Sequence, residues 1–182
     1  MATSELEVKV ISAFGDPSAT EVFYAHLTYP TTFPYEGATR TEFSAISDRP
    51  LCSKDYGSCV GIALVGDHRS ALTHHSKLTG NPRDYIPELV EELKAAGEWQ
   101  IVAAVMGGNL EHMETALEVL AQQCVPVIGL LQETKGISGN KLMVVLPSTR
   151  EVIAYGILNG GYQQLMNGGS AVHQKMAASS WN

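Results

Sequence analysis

Between Cys59 and Gly156 short apolar runs alternate with two stretches patterned at helical spacing. That alternation confines the chain to a mixed fold of strands and helices. Cys59–Val65 and Ser70–His75, joined by Gly66-Asp67-His68-Arg69, read as a β-hairpin. Asp84 is placed to cap a helix running to Gly97, with Pro87 in its first turn and Ile86, Leu89, Val90, Leu93 and Ala96 on its apolar face. Ile101–Val105 reads as a strand. The Gly107-Gly108-Asn109 turn then leads into a second helix, Glu111–Gln123, with Met113, Ala116, Leu117 and Leu120 inward and Asn109 near its start as a cap. Val125–Leu131, Leu142–Leu146 and Val152–Ile157 are further strands, and Gly139-Asn140 marks a turn. Leu6, Val8 and Val10 alternate with charged residues as one half-buried strand. About seven strands and two helices favour an α+β, layered arrangement.

The flanks differ. Residues 16–58 are rich in Pro, Thr, Ser, Tyr and Gly and read as irregular, with short strands at most. After Gly156 the chain holds two Gly-Gly pairs and many small or amide residues, a composition suited to a tail that is mobile or ordered only by docking. With 182 residues the expectation is one domain over 1–158 followed by a 159–182 tail. A 45% apolar content supplies a core, and no run approaches the ~20 apolar residues of a membrane span. The start lacks a secretory signal, so a cytoplasmic protein, or an effector exported without such a signal, is expected. Nineteen acidic against twelve basic residues, a net charge of -7, argue against a nucleic-acid partner. Three cysteines cannot all pair, which favours free thiols.

Cys59 is the first candidate for chemistry. It stands in Gly57-Ser58-Cys59-Val60, where a Gly turn enters an apolar strand. A rigid strand would hold the sulfur, and N–H groups around Gly57 and Ser58 could face a developing oxyanion. The plain alternative is a small core residue. A nucleophilic thiol needs a base, and His74 and His75 lie on the partner strand. If Val65 faces Ser70, paired residue numbers have a constant sum and Cys59 lies opposite Ser76. His74 then shares the face of Cys59 as a diagonal neighbour, roughly 7 Å away between Cβ atoms, and His75 points to the other face. A bulge would exchange the two histidines, so His75 remains the alternative base. Adjacent histidines point apart and Cys52, Cys59 and Cys124 lack metal-binding spacing, so no metal is expected. Cys52 and Cys124 read as packing residues. Gly107-Gly108-Asn109 fits neither phosphate-loop pattern.

In order along the chain, these pieces resemble the CheD family of chemoreceptor glutamine deamidases. The matching pieces are Gly57-Ser58-Cys59-Val60, a histidine one hairpin later, Tyr85 leading into LVEELKAAG, and AAVMGGN at 103–109. VPVIG at 125–129, Ser138-Gly139-Asn140 and STREVIAYG follow. The resemblance covers roughly residues 50–156, leaving about 1–50 as an N-terminal extension. It implies a β-sandwich core flanked by helices, a fold shared with cytotoxic necrotizing factor-type deamidase toxins. It also implies a Thr–Cys–His cysteine hydrolase that needs no cofactor. Cys59 matches the nucleophile and His74 the base. Ser53, six residues before Cys59, stands where the family has Thr and keeps a hydroxyl to orient the imidazole. The sequence departs from the family after the histidine, where Ser76-Lys77-Leu78-Thr79 replaces an apolar stretch ending in Leu-Pro.

The activity so implied is hydrolysis of a target protein's glutamine to glutamate with release of ammonia. The partner is then a protein presenting that glutamine. Other readings stay open at this point: a toxin or effector deamidase, a transglutaminase, a cysteine peptidase or amidase, or a degenerate fold that binds a signalling protein.

Overall fold

The computed structural model describes residues 9–12, 43–54, 56–131 and 141–156. Nine strands and two helices occur among them. In chain order they are β1 (Lys9–Ser12), β2 (Ser44–Ser47), β3 (Leu51–Lys54), β4 (Gly61–Val65) and β5 (Ser70–Thr73). Then come α1 (Pro82–Ala95), β6 (Val102–Met106), α2 (Leu110–Gln122), β7 (Val127–Leu131), β8 (Lys141–Leu146) and β9 (Glu151–Gly156). The fold is therefore mixed α+β, with two sheets and two helices. One sheet has the order β1-β9-β8-β3 and the other β2-β5-β4-β6-β7.

The central strands read as continuous apolar runs because both of their faces are covered. On β4, Ile62 and Leu64 point toward the helices and join Ile86, Val90, Leu93, Met113 and Leu120 in one core. Ala63 and Val65 point the other way, into a second core with Leu51, Met143, Val145, Val152 and Ala154 of the four-stranded sheet. The layers are thus sheet, sheet and helix pair. Among the described residues no helix is long and apolar enough to cross a membrane.

Several boundaries differ from the sequence reading for identifiable reasons. The first helix is capped by Asn81 rather than Asp84: its side chain accepts from the Arg83 N–H at 3.0 Å, and Pro82 occupies the first helical position. Asn81 has the extended backbone that a residue before proline prefers. Starting three residues early moves Pro87 from the first turn into the helix interior. Gly97, at φ +94°, ends the helix as expected, with Gly97 N–H on Lys94 O and Glu98 N–H on Leu93 O.

The second helix ends in the same way, but Cys124 occupies the left-handed position, at φ 56°. Its side chain is exposed, so it is a turn residue and not the packing residue expected; Cys52 is buried. The turn keeps Val125 out of the next strand, which begins at Val127.

The segment read as irregular contributes β2 and β3, each four residues long and each at a sheet edge. Strands that short carry too little periodicity to stand out in a Ser/Thr-rich stretch. The expected strand at Leu6–Val10 corresponds to β1 only from Lys9 onward. The Gly139-Asn140 turn, most of the N-terminal extension and the 159–182 tail lie outside the described residues.

The hairpin loop rests on a residue the sequence reading passed over. Glu98 is buried, and its carboxylate accepts the N–H groups of Asp67, His68 and Arg69 at 2.5–3.1 Å. That brace fixes the loop length at four residues, and the loop length sets the register of everything that follows.

Candidate functional site

The β4–β5 hairpin pairs Val65 with Ser70, Leu64 with Ala71 and Ala63 with Leu72. Beyond the regular strands, Val60 bridges His75, with Val60 N–H on His75 O at 2.8 Å and His75 N–H on Val60 O at 3.2 Å. The register is the constant-sum pairing read from the loop. It survives a local break at Thr73, whose hydroxyl accepts the Ile62 N–H at 3.0 Å, while the His74 N–H turns to Phe43 O at 2.7 Å. With no residue inserted, His74 falls on the inter-sheet side and His75 on the helix side.

Three side chains, Ser53, Tyr56 and His74, meet in the layer between the sheets, and Cys59 borders it. Ser53 lies on β3, on the same face as Leu51 and opposite Met143 of β8. Its Oγ is 2.8 Å from His74 Nδ1, and both residues are fully buried. Tyr56 stacks on the His74 ring, with centroids 3.9 Å apart and planes 10° from parallel, and its hydroxyl donates to Thr73 O at 2.7 Å. Cys59 is half-buried and packs against the inter-sheet core from the end of the turn. The imidazole is therefore held by a hydroxyl on one edge and a phenol ring on one face. Such support fixes the orientation of a ring.

His75, the alternative base, belongs to a different environment. Its ring stacks on Tyr85 of α1 at 4.0 Å, and its Nε2 is 3.0 Å from Ser44 Oγ. Tyr85 in turn reaches His112 Nε2 at 3.3 Å. This array lies among helix-side core residues, on the opposite face of the strand from Cys59.

Gly57 and Ser58 form the exposed turn before Cys59. A Cβ on Gly57 would enter open space, so the packing there does not demand glycine. Gly108 differs. A Cβ there would lie 2.6–2.8 Å from Ser58 C, Ser58 O and Cys59 O, all of them backbone. Asn109 N–H donates to Ser58 O at 3.0 Å, so the turn after β6 is clamped against the backbone that carries Cys59. Gly108→Ala should push the two turns apart and slow alkylation of Cys59. The check is the iodoacetamide labelling rate beside a thermal melt, with Gly57→Ala, expected to fold normally, as the contrast.

Burial governs the protonation states. Desolvation, reinforced by His75, lowers the His74 pKa to about 4, so the ring is neutral at neutral pH. Desolvation pushes the Cys59 thiol up, and the positive charge of Lys141 opposes it. Burial also raises the Tyr56 hydroxyl. Cys59 is thus a neutral thiol and His74 a neutral imidazole, not a thiolate beside an imidazolium.

Sequence reasoning missed three members of this environment. Tyr56 could have been suspected from its place beside the Gly57 turn. Gly108 could not, because its contact with residues 58–59 is purely tertiary. Lys141 carried a signal: strand alternation puts it on the same face as Met143 and Val145, which are core residues. Among the described residues no group of three or more His, Cys, Asp or Glu side chains could hold a metal ion. Compared with protein-family models and with curated proteins, the sequence matches none.

Proposed function

We propose that this protein is a cysteine-dependent protein-glutamine deamidase of the CheD-like kind. One observation carries the reading: the Ser53–His74 hydrogen bond, 2.8 Å long, in the inter-sheet layer that Cys59 also borders. Any buried imidazole needs a hydrogen-bond partner; here it is a hydroxyl from a strand of the other sheet, which also sets the orientation of the ring in the layer that Cys59 borders. With Nδ1 on Ser53, proton transfer to and from Cys59 would run through Nε2.

In this mechanism His74 takes the Cys59 proton as sulfur attacks the side-chain carboxamide carbon of a substrate glutamine. The neutral resting pair makes the transfer concerted with attack, since a free ion pair is disfavoured by burial. Backbone N–H groups of the Gly57-Ser58-Cys59 turn hold the oxyanion. Protonated His74 gives its proton to the departing nitrogen, and ammonia leaves. Water, deprotonated by His74, then attacks the thioester, releasing glutamate and restoring the thiol. The open space at Gly57 leaves room for a polypeptide substrate.

The test is ammonia release from a panel of glutamine-bearing proteins, with mass spectrometry for Gln→Glu conversion and Cys59→Ser as the blank. Cys59-dependent cleavage of peptide bonds without ammonia would replace this reading with a peptidase. A second reading, a catalytically silent module that binds a signalling protein, is favoured by the two pKa shifts, both of which oppose a thiolate. No Cys59-dependent chemistry on any substrate would establish it.

Ser53 supplies a graded check. Ser53→Ala should lower turnover roughly 10–100-fold by freeing the ring to rotate. Ser53→Thr keeps the hydroxyl and should hold near the wild-type rate. Equal wild-type rates for both, with unchanged melts, would remove Ser53 from the site.

A further inference from the structure

Lys141 is the first residue of β8, and at 1% exposure it is among the most buried polar side chains described. Its Nζ donates to Gly107 O at 3.3 Å, and its own carbonyl accepts the Tyr56 N–H at 3.3 Å. One residue therefore binds both segments that frame Cys59. Through Gly107 it holds the turn whose Gly108 packs on the Ser58–Cys59 backbone. Through Tyr56 it holds the segment whose ring stacks on His74.

The ammonium group thus lies against the turn that packs on the backbone of Cys59, the residue whose sulfur would become an anion. We infer that Lys141 is a positioning residue for the nucleophile, clamping the Gly107-Gly108 turn onto Cys59 and placing a fixed positive charge where the thiolate forms. The inference rests on the reading of Cys59 as nucleophile and goes beyond the Cys–His–Ser arrangement.

Among the described residues, His74, Tyr56 and Ser53 do not supply that charge. His74, from the end of β5, is neutral above about pH 4. Tyr56, from the segment before Gly57, is held protonated by burial. Ser53 of β3 does not titrate, and the turn after β6 contributes glycines. The positive charge of Lys141 opposes the rise that burial gives the Cys59 thiol.

The experiment follows Cys59 alkylation by iodoacetamide across pH in the full chain, read by peptide mass spectrometry, and needs no substrate. Lys141→Met removes both charge and donor; Lys141→Gln keeps a donor for Gly107 O without the charge. Loss of an opposite charge nearby should move the labelling profile up by about one pH unit in both variants. At a fixed pH below the midpoint that is labelling ~10-fold slower, with the high-pH plateau unchanged. Lys141→Arg should restore the wild-type midpoint. Substituting a buried charge is often neutral for stability, and Lys141→Gln serves if the methionine variant does not fold. Superimposable profiles for wild type and Lys141→Gln would overturn the inference. So would slowing by the same factor at every pH, since that reports altered access rather than charge. Wild-type protein that released no ammonia would instead sink the deamidase reading and leave this result standing.

Discussion

Cys59→Ser should abolish ammonia release while leaving the melting temperature within a few degrees of wild type. Loss of a nucleophile that acts together with its base costs on the order of 10⁴-fold or more. Serine keeps nearly the same volume, and Cys59 is only half-buried, so the inter-sheet packing has little to lose. Its hydroxyl is far less acidic than a thiol, and His74, already a weak base, cannot activate it. Cys124→Ser and Cys52→Ala are the controls. Cys124 is exposed beyond the second helix and should be silent in turnover. Cys52 is fully buried, so Cys52→Ala should cost stability without costing turnover. Activity surviving in Cys59→Ser would remove the nucleophile from the mechanism.

His74→Ala should reduce turnover by ~10²–10⁴-fold, the usual cost of losing a general base. His75→Ala should act mainly on stability, because it empties a stack against Tyr85 in the helix-side core. The reverse order would place the chemistry on the other face of the sheet.

The same residue makes a pH prediction whose sign is fixed. Its pKa is about 4 in the folded protein against about 6.5 in an unfolded chain. Between those values the unfolded state binds more protons, so stability falls as pH is lowered from 6.5 toward 4, by about 3 kcal/mol in total. Below 4 both states are protonated and the loss is complete. Chemical denaturation at intervals from pH 7 to 4 should show that slope in wild type and a shallower one in His74→Ala. The acid limb of turnover should likewise fall near 4 rather than near 6.5. Parallel slopes would mean that His74 is not the residue whose burial makes the fold acid-sensitive.

Much of this site was legible in the chain. The four residues 66–69 between two apolar runs fix the hairpin register, and a period of two then assigns His74 and Cys59 to one face by arithmetic alone. The asparagine at 109 and the glycine at 97 mark helix ends by local chemistry that needs no partner. Such features are local: each depends on dihedral preferences and side-chain alternation within a few residues. The first cap was misplaced because Asp84 and Asn81 are both good caps. Choosing between them takes the backbone demand that Pro82 makes on the residue before it.

The remainder is tertiary. Nothing local brings Ser53 to His74, since they sit on strands of different sheets and meet only because the two sheets pack face to face over Ala63, Leu72 and Met143. Gly108 reads as an ordinary turn glycine until the Ser58–Cys59 backbone is found against it. Glu98 looks like a solvent-facing residue after a helix until three N–H groups of the hairpin loop converge on its carboxylate. Lys141 breaks the expectation for lysine, because the strand's alternation holds it inside with Met143 and Val145. The sequence by itself determined the two helices, the central strands, the hairpin register and the placement of Cys59 and His74 on one face. The packing of the two sheets decided which hydroxyl, which ring and which charge surround them, because contacts between distant strands depend on how faces stack and not on any local preference.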